Sequence, residues 1–182
     1  NLVLPPVFFL SLEPLFIITV GPWFARTLQH SNRLNMSMLS KFILALICMG
    51  VAYSILTIST YFPNSQGQVQ PYNIILYYLF VTLGQLFLYP IGMAAVLKLS
   101  PKTMQGFMMG AWFFTLGIGG SLGGVIAALA KVSNDQLTSI VTERLIYQHA
   151  FTVYALIAIA GAILIAILRP LAFRSLGKTL NL

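Results

Sequence analysis

The chain has 182 residues, of which 58% are hydrophobic and 7% charged, with a mean hydropathy of +0.89 and a formal net charge of +7. Such a balance excludes an ordinary soluble domain, and apolar runs that are continuous instead of alternating exclude a β-barrel, leaving an all-α membrane protein. The cations sit in loops and at the ends of apolar runs, where membrane topology needs them, so the positive charge gives no support to a nucleic acid partner.

The first apolar run covers about 2–25 and opens on Pro5 and Pro6, since proline is accepted in a first helical turn. Glu13-Pro14 falls in its middle. Gly21-Pro22 lies near its end and is expected to kink it. Arg26, His30, Arg33 and Lys41 follow in a polar loop. The second run, about 42–61, contains the one cysteine, Cys48, so no disulfide framework exists, and it carries small and hydroxylated residues toward its end. The loop FPNSQGQVQP is short, turn-rich and uncharged.

The third and fourth runs, about 72–97 and 103–130, flank a basic turn, Lys98 to Lys102. Each is long enough to cross a bilayer, because ~20 residues at ~1.5 Å rise span the hydrocarbon core. In the third run Tyr78, Thr82, Gln85, Tyr89 and Gly92 recur at helical spacing and share one stripe; in the fourth, Met108, Trp112, Thr115 and Gly119 do the same. Such stripes fit either a polar cavity or two buried interhelix faces. Gly106/Gly110, Gly119/Gly123 and Gly120/Gly124 are small-xxx-small pairs, so the fourth run is where helices are expected to pack closest. A more polar stretch, residues 131–148, leads to the fifth run, about 150–168. It is rich in Ala and Ile and expected to be peripheral, with Arg169-Pro170 ending it.

Cation asymmetry sets an orientation. Arg26, Arg33 and Lys41, then Lys98 and Lys102, then Arg169, Arg174 and Lys178 all fall on one side, which becomes cytoplasmic. The C-terminus is then inside and Asn1 outside. Five spans with an outside start, and no initial Met, read as the last five helices of a larger bundle.

Helical rise places three residues at one depth. Glu13 is ~20 Å from Arg26, Gln85 is ~20 Å from Tyr72, and Trp112 is ~15 Å from Lys102, all near the bilayer midplane. Glu13 is the one acidic residue inside an expected span. An ionisable group there is costly and marks a functional site by default, here a carboxylate that binds a proton or an amine. The bland reading is a protonated, hydrogen-bonded structural Glu. His30 and His149 lie at span ends and read as interfacial. Metal-ligand spacing, a Ser/His/Asp set and a phosphate loop are not visible, so neither catalysis nor a cofactor or metal is expected.

The stretch SLEPLFII resembles the Asn-Pro-Leu-Phe-Ile motif of proton-coupled oligopeptide transporters, a branch of the major facilitator superfamily. GQLFLYPIGMAAVLKLSPKTMQGFMMGAWF is similar to that family's Gly-Glu-Leu, Ser-Pro-x-Gly-Leu, Lys-Leu-x-Pro and Met-Met-Gly-x-Trp-Phe run. The resemblance spans Ser11 to Gly124. It implies that the five spans are the eighth to twelfth family helices, most of the C-terminal six-helix bundle. The N-terminal bundle and the seventh helix then lie outside this chain. It further implies a cavity for small peptides, bound with protons, in which Glu13, Gln85, Tyr89 and Trp112 meet the substrate. Gln85 aligns with the family Glu that holds the peptide amino terminus, and Glu13 with a family Asn that faces the ligand. Tyr89 stands for a Ser, and a polar Asn often found at Gly120 is missing. The short loop 62–71 has no room for the large domain of animal members, which favours a bacterial inner membrane. Two other readings stay open: a transporter of the same fold for another amine-bearing substrate, and a non-transporting membrane subunit or truncated remnant.

Overall fold

A computed structural model describes residues 6–30, 37–62, 69–128 and 140–176. Among these the chain forms helices and no strand: α1 (Pro6–Leu10), α2 (Leu12–His30), α3 (Met38–Tyr61), α4 (Pro71–Leu99), a 3₁₀ turn (Lys102–Met104), α5 (Gln105–Ala127) and α6 (Ile140–Leu176). Five segments are long and apolar enough to cross a membrane: Phe8–Thr27, Met38–Tyr61, Pro71–Leu99, Lys102–Ala127 and Thr142–Pro170. Arg33, Lys131, Asp135 and Lys178 lie outside the described residues.

Proline chemistry explains where the first span breaks. Pro14 has no N–H to give the Leu10 carbonyl, and its ring crowds that same carbonyl. α1 ends at Leu10, Ser11 turns with its N–H on the Phe8 carbonyl at 3.2 Å, and α2 resumes at Leu12. At Gly21-Pro22, where a kink is expected, α2 continues as one helix through Pro22. There the flanking residues are held against α4: a Cβ on Gly21 would lie 3.7 Å from Leu86, and the Phe24 and Phe87 rings meet edge-on at 4.6 Å.

The other boundaries follow from caps and turns. The Ser37 carbonyl accepts the Ser40 and Lys41 N–H groups at 2.9 and 3.2 Å, so α3 starts ahead of Phe42. Pro71 opens α4 at the one helical position that suits its fixed φ. Ser100 caps α4, and Gln105 Nε2 donates to the Leu97 carbonyl at 3.0 Å, tying the start of α5 to the last turn of α4. α6 is longer than expected at both ends. Residues 140–149 contain neither Gly nor Pro, and Glu143 in the first turn complements the helix dipole. Pro170 sits inside α6 and does not end it; an interior proline removes one bond, which the rest of a long helix can outlast.

α3 lies in the middle, with α6 on one side and α4 on the other, and α4 in turn carries α2 and α5. Small residues set these approaches. A Cβ on Gly50 would fall 2.8 Å from Ile159 Cγ1, and one on Gly84 would fall 3.0 Å from the Ala45 carbonyl oxygen. Ala45 and Ala52 on α3, and Ala150, Ala155 and Ala162 on α6, are buried, Ala45 against Gly84 of α4 and Ala155 beside Gly50 of α3. α6 is therefore a main packing partner of α3. Among the described residues α5 does not pack closely through its glycines. Gly106, Gly110, Gly119, Gly120, Gly123 and Gly124 have no described atom within 4 Å of a built Cβ, and none of the residues of α5 is buried. Closest approach belongs to Gly50, Gly84 and Gly92 instead.

Candidate functional site

The site forms where α2 crosses α4. Gln85 is the central residue of α4 (Pro71–Leu99), and its Nε2 donates to Glu13 Oε1 at 2.8 Å. Glu13 sits in the first turn of α2, just after the break at Ser11. Both side chains are half-buried. An ionised carboxylate offers about four lone-pair sites, so the one bond from Gln85 leaves acceptor capacity for a further donor.

Toward the N-terminal end of α4 lie Tyr77 and Tyr78. These two rings meet edge-on at 5.1 Å. The Tyr77 ring packs against that of Tyr53 of α3, their centroids 5.6 Å apart. Tyr53 in turn packs edge-on against Tyr154 of α6 at 5.4 Å, and the Tyr154 hydroxyl donates to the Ile126 carbonyl of α5 at 3.1 Å. A line of phenols thus joins α4, α3, α6 and the end of α5. Buried hydroxyls in an apolar setting need such partners.

Two turns further along α4, Gly92 receives the indole of Trp112. A Cβ on Gly92 would fall 2.5 Å from both Cη2 and Cζ2, so the ring lies on bare backbone. Trp112 Nε1 is buried and has no hydrogen-bond partner among the described residues. The other members of its stripe, Met108, Thr115 and Gly119, are exposed.

Of the four residues singled out, the structure joins Glu13 to Gln85 and seats Trp112 on the same stripe of α4 as Gln85. Tyr89 lies between them and is 43% exposed. Thr82, also on that stripe, is fully buried, its hydroxyl on the Tyr78 carbonyl at 2.8 Å. Sequence reasoning missed Tyr53, Tyr77 and Tyr154. Their signal was modest: three phenols inside apolar spans that hold other aromatic residues as well. Groups of three or more His, Cys, Asp or Glu able to hold a metal are absent among the described residues.

A family model described as PTR2, the POT family, matches residues 1–146. Dipeptide and tripeptide permease B of Salmonella typhimurium is 30% identical over 167 residues, covering 91% of this chain and 34% of the permease. Dipeptide and tripeptide permease A of Yersinia pestis is 29% identical over 170 residues, covering 93% and 34%. A solved structure described as giving insights into substrate recognition in proton dependent oligopeptide transporters superposes with a TM-score of 0.76 at 27% identity, over 94% of this chain and 35% of that one. Tetrameric PepTSo2 also superposes with a TM-score of 0.76, at 26% identity over 96% and 34%. The chain spans about a third of the length of these relatives.

Proposed function

The chain belongs to the POT family, and from that premise we propose that it supplies the C-terminal half of the cavity in a transporter that carries di- and tripeptides together with protons. The single observation behind this reading is the Glu13–Gln85 hydrogen bond at the centre of α4. A carboxylate at membrane depth is costly unless a cation or donor meets it. The peptide ammonium is a suitable cation, and Gln85 holds the carboxylate in place while the cavity is empty. A proton delivered to Glu13 neutralises it and releases the amine, which links proton movement to discharge of the peptide. Tyr89 and Trp112, further along the same stripe, meet the rest of the substrate. The bundle rocks against the remainder of the transporter around this site.

The bacterial permeases it resembles support an integral protein of the cytoplasmic membrane. The cation asymmetry supports a C-terminus on the inner side. The test is uptake of labelled dialanine by the intact protein in proteoliposomes under an inward proton gradient. Gradient-driven uptake that unlabelled tripeptide suppresses is expected. If free amines compete while di- and tripeptides do not, the substrate is another amine; if nothing is taken up, the reading fails.

A further inference from the structure

We propose that the backbone carbonyl of Leu10, which Pro14 deprives of its helical donor, is a second acceptor for the ammonium group that Glu13 receives. The inference rests on the amine-binding reading above and adds a partner to it.

Helical backbone normally consumes its own acceptors. The carbonyl of residue 10 is aimed along the axis at the nitrogen of residue 14, and here that nitrogen belongs to proline. The structure answers this with an interruption: α1 stops at Leu10 and α2 begins at Leu12. On either side the backbone bonds that frame the gap are present, Ser11 N–H to the Phe8 carbonyl at 3.2 Å and Leu15 N–H to the Ser11 carbonyl at 3.3 Å. Pro14 therefore leaves the Leu10 carbonyl without its i+4 donor.

Its place in the membrane decides what it faces. A carbonyl without a donor is not tolerated against lipid tails, and irregular backbone at this depth lines protein or a water-filled cavity. Leu10 and Pro14 are both exposed among the described residues. The neighbouring residue, Glu13, has its carboxylate fixed by Gln85 at 2.8 Å. A carboxyl side chain and a carbonyl without its i+4 donor thus share one helical turn. An ammonium has three donors and no acceptor. It can satisfy Glu13 with one N–H and Leu10 with another, which a proton or a neutral amide nitrogen cannot do as fully. The pair would discriminate in favour of a primary amine, the class of group at a peptide's free amino terminus.

The experiment compares dialanine and N-acetyl-dialanine as ligands of the intact protein, for wild type, Pro14→Ala and Glu13→Gln. Alanine restores an N–H at position 14 and returns the Leu10 carbonyl to the helix. Pro14→Ala should weaken dialanine roughly tenfold or more, the worth of one charge-assisted hydrogen bond. It should leave N-acetyl-dialanine unchanged. Thermal stability without ligand should hold or rise, since a helical bond is regained, while the stabilisation gained from dialanine should shrink. Wild-type affinity for dialanine in Pro14→Ala overturns the proposal. Equal weakening of both ligands overturns it too, because that is the mark of a general change in helix shape. Glu13→Gln separates this inference from its premise. If that variant keeps the preference for the free amine, the amine-binding reading fails and the Leu10 role falls with it. If it loses the preference while Pro14→Ala keeps it, only the Leu10 role is lost.

Discussion

Glu13 and Gln85 lie 72 positions apart in sequence and 2.8 Å apart in space, the amide of one donating to the carboxylate of the other. This bond joins two helices that the chain leaves far apart in order, and it sits at the middle of α4. On the same stripe of α4 lie Tyr78 and Gly92, and Gly92 seats the indole of Trp112. Each of these relationships can be broken separately.

Orientation is the first to check. In a Cys48→Ser background, Tyr72→Cys at the start of α4 and Lys102→Cys after its end are both exposed positions. The basic turns are expected on the cytoplasmic side. An impermeant thiol reagent added to intact cells should label the first and not the second. The opposite pattern would invert the topology.

Gly92 accommodates Trp112 through the lack of a side chain. Gly92→Val would drive a methyl-bearing carbon into the indole, where even a Cβ would be 2.5 Å from two ring atoms. Overpacking of this kind costs about 1–3 kcal/mol. Thermal unfolding in detergent should show the loss, and Trp112→Ala should remove most of it in the double variant, since contacting sites couple. Additive losses would mean that the contact carries no weight.

How far the sequence reached can be seen from these residues. The spans were readable because a continuous apolar run long enough to cross a bilayer admits one solution, a helix. The nearness of Glu13 and Gln85 was suggested by equal depth, which rise per residue supplies. What one helix at a time cannot supply is its neighbour. Small-xxx-small pairs mark where a helix can be approached closely but not by what, so the glycines of α5 were credited with contacts that Gly50 and Gly84 make. Tyr53, Tyr77 and Tyr154 meet only because α3 lies between α4 and α6. Pro14 and Pro22 carry the same chemistry, and the contacts of Gly21 and Phe24 with α4 bridge one of them while the other interrupts the helix.

The phenol line gives a prediction about stability without function. Tyr154→Phe removes the bond to the Ile126 carbonyl and leaves the ring contacts with Tyr53 and Phe151 in place. The cost should be about 0.5–1.5 kcal/mol, read as a lower melting temperature. The KM for dialanine should not move, because the contacts of Tyr154 are with Tyr53, Phe151 and Ile126 and not with Glu13. A raised KM with unchanged melting would place Tyr154 in the binding site.

Trp112 offers its bulk and not only its packing. The large ring is suited to an apolar peptide side chain, and its N–H has no partner among the described residues. Trp112→Ala should weaken binding of dipeptides with aromatic side chains more than that of dialanine, measured by competition. Equal weakening would assign the residue to the α4–α5 contact alone.

The last prediction tests which helix must carry the charge. The pair consists of one carboxylate and one amide of equal length, so Glu13→Gln with Gln85→Glu re-forms the same hydrogen bond with its polarity reversed. An ammonium beside the pair needs an anion nearby and has less need of a particular helix, since an unpaired buried charge is the dominant cost. Glu13→Gln alone leaves two amides and should reduce affinity for dialanine by at least ~30-fold, as truncating a charged partner does. Gln85→Glu alone places two carboxylates within hydrogen-bond distance, where like charges disfavour joint ionisation. The double variant should recover most of the affinity, a coupling between the two sites that independent residues do not show. Recovery is also expected for the shorter pair, Glu13→Asn with Gln85→Glu, if the charge alone matters. Should neither double variant rescue binding while both fold, the carboxylate on α2 is either specific to its place beside the Leu10 carbonyl or structural. Glu13→Asp decides between those: it keeps the charge on α2 and should retain free-amine preference only in the first case.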